Sequence, residues 1–157
     1  MLKELIMDFP EDAKLNGLYD RWGKLFQQGQ FKQSINIANE MRKIYETKYG
    51  QEITSRYSGF YFNTLYNLGF AYKAANDYSN AESLYLDTLE FLREVLGENS
   101  SMVGSVLADL GGLYYVMGEE SKSKDLYIKA LKILDKDEEK RDVYRIVLKD
   151  FHSKFSW

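Results

Sequence analysis

Three stretches of this chain carry the same order of large and small residues, and that repetition limits its possible folds more than any other feature. Trp22, Gly69 and Gly111 fall in one column. Leu18, Leu65 and Leu107 stand four residues before it, and Leu25, Tyr72 and Tyr114 three residues after. Further columns hold Gly29, Asn76 and Gly118, then Ser34, Ala81 and Ser123, Ile37, Leu84 and Leu126, Ala38, Tyr85 and Tyr127, and Ile44, Phe91 and Ile133. The first two units are offset by 47 residues and the next two by 42. Self-similarity at such a period marks stacked supersecondary units, each burying its apolar face on the next, rather than a single-core enzyme.

Within a unit, apolar residues recur at three and four. Leu65, Leu68, Gly69 and Tyr72 form one face, and Ala81, Leu84, Tyr85, Thr88, Leu89 and Leu92 form another. Ala75-Asn76-Asp77 separates them, a short turn with a residue able to start the following helix. Each unit is therefore a helical hairpin, A then B. The predicted helices run from about Pro10 to Gln28, Phe31 to Lys48, Arg56 to Ala75, Tyr78 to Leu96, Ser101 to Met117 and Glu120 to Lys136. Gly50 and Gly97 share a column after the first two B helices, where a left-handed glycine would end a helix. The five extra residues between the first two units fall within 51–60, as extra helical turns or a longer loop.

A last helix, about Glu138 to Phe155, lacks the repeat columns. Its single stripe of Val143, Ile146, Val147, Phe151 and Phe155 reads as a cap on the exposed end of the array. Leu2, Leu5, Ile6 and Phe9 could cap the other end or pair with a second copy as a homodimer.

Most chemistry is excluded by what the chain lacks. With no cysteine and only His152, neither a thiolate metal site nor a Cys–His pair can form. Asp135, Asp137, Glu138, Glu139 and Asp142 cluster, but Lys140 stands where a calcium loop needs glycine, so a solvated turn is expected. Gly111-Gly112 is not followed by the Gly-Lys-Ser/Thr of a phosphate loop. We expect no catalytic residue, metal or cofactor. A net charge of −3 with interspersed signs argues against nucleic acid. No apolar run approaches the roughly 20 residues of a membrane span. The first residues lack the pattern of a signal peptide, and the cysteine-free composition fits a reducing, cytoplasmic setting.

The columns resemble tetratricopeptide repeats. Leu65-Tyr-Asn-Leu-Gly-Phe-Ala-Tyr72 followed by Asp77-Tyr-Ser-Asn-Ala-Glu82 fits the pattern, as does Leu107-Ala-Asp-Leu-Gly-Gly-Leu-Tyr114. The first unit matches over Leu25 to Ile35 but has Trp22 where the family has a small residue. Its helices should sit wider apart, or Trp22 should point elsewhere. The spacing of 42 and the ending Leu92-Arg-Glu-Val-Leu-Gly97 are similar to the kinesin-light-chain-like branch. The resemblance implies an all-α, right-handed α-solenoid of three hairpins, at about 15–48, 62–96 and 104–137, plus a C-terminal capping helix at about 138–155, in one domain.

For function the resemblance implies a non-enzymatic scaffold that binds a protein or peptide. The family's groove positions here include Asn16, Tyr19, Gly23, Phe26 and Gln27, then Asn63, Tyr66, Asn67, Phe70 and Lys73, then Ser105, Ala108, Asp109, Gly112, Tyr115 and Val116. Tyr19, Phe26, Tyr66, Phe70 and Tyr115 would offer rigid aromatic surface, and Asn63 and Asn67 would bond a peptide backbone. Lys73 is the only cation among them, so a multi-lysine carboxylate clamp is not expected. The competing reading is that these aromatics are core, with the capping segments folded over them. A self-associating assembly or regulatory subunit, joined through its ends, is the alternative function.

Overall fold

The computed structural model describes residues 12–54 and 57–155. Among the described residues seven α-helices follow one another: α1 (Ala13–Gln27), α2 (Phe31–Lys48), α3 (Ser58–Ala74), α4 (Tyr78–Leu96), α5 (Ser101–Val116), α6 (Glu120–Leu134) and α7 (Arg141–Lys154). Short 3₁₀ turns at Gly50–Glu52 and Glu138–Lys140 precede α3 and α7. The pairs α1/α2, α3/α4 and α5/α6 are the three hairpins, and each B helix packs on the next A helix, ending with α6 on α7. The fold is an all-α solenoid. Leu2, Leu5, Ile6, Phe9 and Pro10 lie outside the described residues.

One backbone device makes all three hairpin turns. Gly29, Asn76 and Gly118 have φ of 72°, 62° and 80°. In each case that residue's N–H bonds the carbonyl three residues back, and the next N–H bonds the carbonyl five back, from Gln30 to Leu25, Asp77 to Tyr72 and Glu119 to Tyr114, each at 2.9 Å. This is the Schellman closure, which satisfies the last helical carbonyls through one left-handed residue. Gly97 also has positive φ, 85°, but with an extended ψ of 163°. The expectation for Gly50 is corrected: it has no positive φ and opens the 3₁₀ turn instead.

The five extra residues form a longer connection, not a longer helix. α2 ends at Lys48 and α3 starts at Ser58, whereas α4 ends at Leu96 and α5 starts at Ser101. The longer link keeps Ile53 and Tyr57 buried. At the front, α1 begins at Ala13 rather than near Pro10, because Asp12 is its N-cap, accepting from the N–H groups of Lys14 and Leu15 at 3.1 Å. The same carboxylate takes Lys48 Nζ and Tyr49 Oη, each at 2.8 Å, and so ties the start of α1 to the end of α2.

Small residues set how closely helices approach. A Cβ on Gly69 would lie 3.2 Å from the Tyr85 ring, and one on Gly111 would lie 2.9 Å from the Tyr127 ring. Tyr85 and Tyr127 are fully buried. In the first hairpin the bulk is exchanged between helices: Trp22 stands in the glycine column and Ala38 in the tyrosine column. Trp22 stacks on Phe26 along its own helix, ring centroids 5.2 Å apart. α1 and α2 are less closely packed on each other than α5 and α6. Two continuous clusters result, one across α1 to α4 and one across α4 to α7. α4 serves both, giving Leu84 and Phe91 to the first and Tyr85, Leu89 and Leu92 to the second. A fully buried leucine such as Leu68 contributes roughly 1.5–3 kcal/mol.

Candidate functional site

The A helices α1, α3 and α5 succeed one another along one side, and α7 takes the next place against α5 and α6. The aromatic and polar residues expected in a groove divide into three groups along this side.

The first group ties helices together. Tyr19 Oη donates to the carbonyl of Phe60 at 3.0 Å and lies 2.9 Å from Thr64 Oγ1, fixing α1 on α3. Tyr66 Oη donates to Asp109 Oδ2 at 2.7 Å, fixing α3 on α5. Its ring stacks on Phe62 with centroids 5.6 Å apart. Burial, then the charge of Asp109, pushes the Tyr66 phenol far above its ordinary range, so it stays a donor.

The second group is aromatic and open. Phe26 on α1 meets Phe70 on α3 at 5.5 Å and Phe31 at 5.3 Å. Phe70 keeps 41% of its surface exposed. Tyr115, 39% exposed, meets Phe155 edge-on at 5.7 Å, at the end of the cap helix. Asn63 and Asn67 are half-buried on α3, and their side chains join none of these contacts.

The third group lines a cavity of about 280 Å³ where α3, α5, α6 and α7 meet. Lys73 comes from α3, Ala108, Asp109, Gly112 and Val116 from α5, Tyr127 from α6, and Ile146, Val147, Asp150 and Lys154 from α7. Val116 and Ile146, 52% and 63% exposed, are the most open of its apolar residues. Asp150 accepts from both Tyr127 Oη and Lys154 Nζ. Burial alone would push the Asp150 carboxyl up, but these two partners bring it below its ordinary range. Asp109 goes the other way. Burial outweighs the Tyr66 hydrogen bond and the charge of Lys73, and raises it.

The structure brings Lys73, Ala108, Asp109, Gly112 and Val116 together from the positions assigned to the groove in the second and third units. The sequence pattern does not reveal Asp150 and Lys154, which complete the cavity from the cap helix. Their only signal is the i, i+4 spacing of an acid and a base on a helix outside the repeat columns. The cap reading and the groove reading meet here, because α7 forms one wall of the cavity. The acidic turn is locally paired: Asp135 bridges Arg141 at 2.8 Å, and Asp137 caps the N–H of Glu139. His152 is exposed and sits edge-on to Phe151 at 5.8 Å. Among the described residues no three His, Cys, Asp or Glu side chains converge on a metal position, and no helix is long and apolar enough to cross a membrane.

This stacking of glycine-notched hairpins defines the class. The tetratricopeptide-repeat family matches residues 60–136, from α3 through α6. The fold superposes on the crystal structure of BtubC (BKLC) from P. vanneervenii, a kinesin-light-chain-like tetratricopeptide-repeat protein, with a TM-score of 0.74 at 20% identity. The match covers 98% of this chain and 61% of that one, so this chain spans about three-fifths of its length. No curated protein sequence matches the chain. From α3 through α6 the chain matches the tetratricopeptide-repeat family, and its whole fold is a tetratricopeptide-repeat-like solenoid. Such repeats generally mediate protein–protein interaction and scaffolding.

Proposed function

We propose that this protein is a non-enzymatic scaffold that holds a protein or peptide segment along the side formed by α1, α3, α5 and α7. The observation that carries this reading is Phe70. It stays 41% exposed on a helix whose neighbouring aromatic, Tyr66, is bonded to the next repeat. A large apolar ring on a rigid support gains contact area on binding with little loss of side-chain freedom. Phe26 beneath it and the Tyr115–Phe155 pair beyond extend the same surface. The helices are tied by side-chain hydrogen bonds at both repeat junctions, so a segment would meet a largely preformed surface.

Peptides selected from a displayed library against the wild-type protein supply the ligands for the test. Phe70→Ala and Tyr115→Ala should each weaken the selected peptides at least tenfold while helicity is unchanged. Leu86→Ala, 48% exposed on the B helix α4, should leave affinity unaltered. Equal loss from Leu86→Ala, or none from Phe70→Ala, would move the interface off this side.

A further inference from the structure

In the cavity where α3, α5, α6 and α7 meet, one donor and one acceptor have no protein partner among the described residues and stay open to an entering group. Lys73 makes no hydrogen bond or ion pair among the described residues. Its Nζ lies over Gly112, 3.6 Å from where a Cβ would stand, and the Tyr127 hydroxyl lies 3.1 Å from the same point, so both polar groups border the space above this glycine. Asp109 takes Tyr66 at Oδ2, and Oδ1 has no partner among the described residues. The remaining charges are matched, with Asp150 bonded to Tyr127 through Oδ2 and to Lys154 through Oδ1.

Charge decides what the cavity can take. Two lysines face two aspartates, so its formal charge is balanced. An entering carboxylate would meet Lys73 but also face Asp109 and Asp150. An entering ammonium or guanidinium would meet Asp109 but also face Lys73 and Lys154. Either would leave net charge in a partly desolvated space, which is costly. A neutral group with an acceptor and a donor side by side meets both needs without adding charge. A primary carboxamide carries its carbonyl oxygen and an N–H on one edge, whereas a trans main-chain peptide points them in opposite directions.

We infer that this cavity reads the carboxamide side chain of a glutamine or asparagine in the bound segment, its oxygen on Lys73 Nζ and its N–H on Asp109 Oδ1. Ala108, Val116, Ile146 and Val147 supply apolar walls for the methylene stem. This assignment rests on the groove reading above and deepens it by naming one residue type of the partner.

The test uses small probes, so that it does not depend on a complete ligand. The ¹⁵N-labelled full chain is titrated with N-acetyl-glutamine N-methylamide and with the corresponding glutamate, lysine and norleucine derivatives. The glutamine probe should shift the Gly112 and Asp109 amide signals saturably and bind at least tenfold more tightly than the other three. Lys73→Met should abolish those shifts, and Leu86→Ala, exposed on the B helix α4, should leave them intact. Glutamate or lysine probes binding as well as glutamine, shifts that survive Lys73→Met, or no shift at all would overturn the assignment. The groove reading is tested by the effect of Phe70→Ala on selected peptides and this assignment by the effect of Lys73→Met on small probes, so failure of one is distinguishable from failure of the other.

Discussion

The Tyr66 hydroxyl on α3 donates a 2.7 Å hydrogen bond to Asp109 Oδ2 on α5, joining directly two repeats that also pack through α4. Removing the hydroxyl leaves a carboxylate that has lost its hydrogen-bond donor in a partly desolvated place. Tyr66→Phe should therefore cost about 1–2 kcal/mol of stability. Asp109→Asn should weaken the same bond, and the double variant should cost less than the two single changes together. Urea denaturation of the four proteins measures this, and strict additivity would show that the bond carries no coupling.

Asp12 gives the first hairpin a pH dependence. Its burial pushes the carboxyl up, but hydrogen bonds from Lys48, Tyr49 and the Leu15 N–H, with the charge of Lys48, bring it down from 3.8 to about 2. A carboxylate with a depressed folded value stabilises the fold fully above the ordinary value and loses that contribution as pH falls toward the folded one. Asp12→Asn should cost about 1 kcal/mol at pH 7, and the deficit should shrink between pH 3.8 and about 2. Denaturant midpoints of both proteins across that interval provide the check. A constant deficit would mean that the ionised form contributes nothing.

The three hairpin turns predict opposite responses to substitution. Asn76 alone occupies the left-handed position with a side chain, at φ 62°. Asn76→Gly should stabilise by roughly 0.5 kcal/mol, whereas Gly29→Ala and Gly118→Ala should each cost about 1 kcal/mol. Each added Cβ at the two glycines would meet open space, so strain at positive φ is the whole effect. Thermal denaturation midpoints should rank the variants in that order.

The two glycines at the helix contacts should differ in tolerance. At Gly111 an added methyl would come within 2.9 Å of the Tyr127 ring and 3.3 Å of the Ser123 carbonyl oxygen. That ring is 1% exposed and cannot swing away. Gly111→Ala should cost about 1–3 kcal/mol. At Gly69 the nearest atoms are 3.2 Å away, and the gain of about 1 kcal/mol in helix propensity offsets much of the crowding. Gly69→Ala should be clearly milder, and reversal of this order in denaturation would contradict the packing described.

Much of the architecture was legible because the repeat columns encode packing directly. α2 and α4 begin and end where their apolar period does, and Asn76 marks its turn by residue type alone. The 49–57 connection was not legible, because Ile53 and Tyr57 are buried by a link with no helical period. The start of α1 is set locally by the Asp12 cap, whereas the tie from Asp12 to Lys48 and Tyr49 was not legible, because they lie far from it in sequence. Within the site, Lys73 and Asp109 follow from helical phase, but the Tyr66–Asp109 bond spans 43 positions and crosses a repeat boundary. Asp150 and Lys154 were hidden for a further reason: the apolar stripe of α7 gives the face it buries, but α7 shares no column with the repeats, so nothing in its sequence says which residues of α5 and α6 that face meets.

The exchange of Trp22 with Ala38, against Gly69 with Tyr85 and Gly111 with Tyr127, limits how such a chain can be recombined. Each hairpin settles its large-against-small balance internally, so a whole hairpin can be duplicated, lost or borrowed with its interior intact. A crossover within a hairpin cannot. Pairing α1 with a helix such as α4 would set Trp22 against Tyr85, and pairing α3 with α2 would leave Gly69 opposite Ala38 and a hole between them. Viable junctions should therefore fall at the two links between hairpins, 49–57 and 97–100, and at the link to the cap helix, 135–140, which makes the hairpin, rather than the helix, the unit of inheritance.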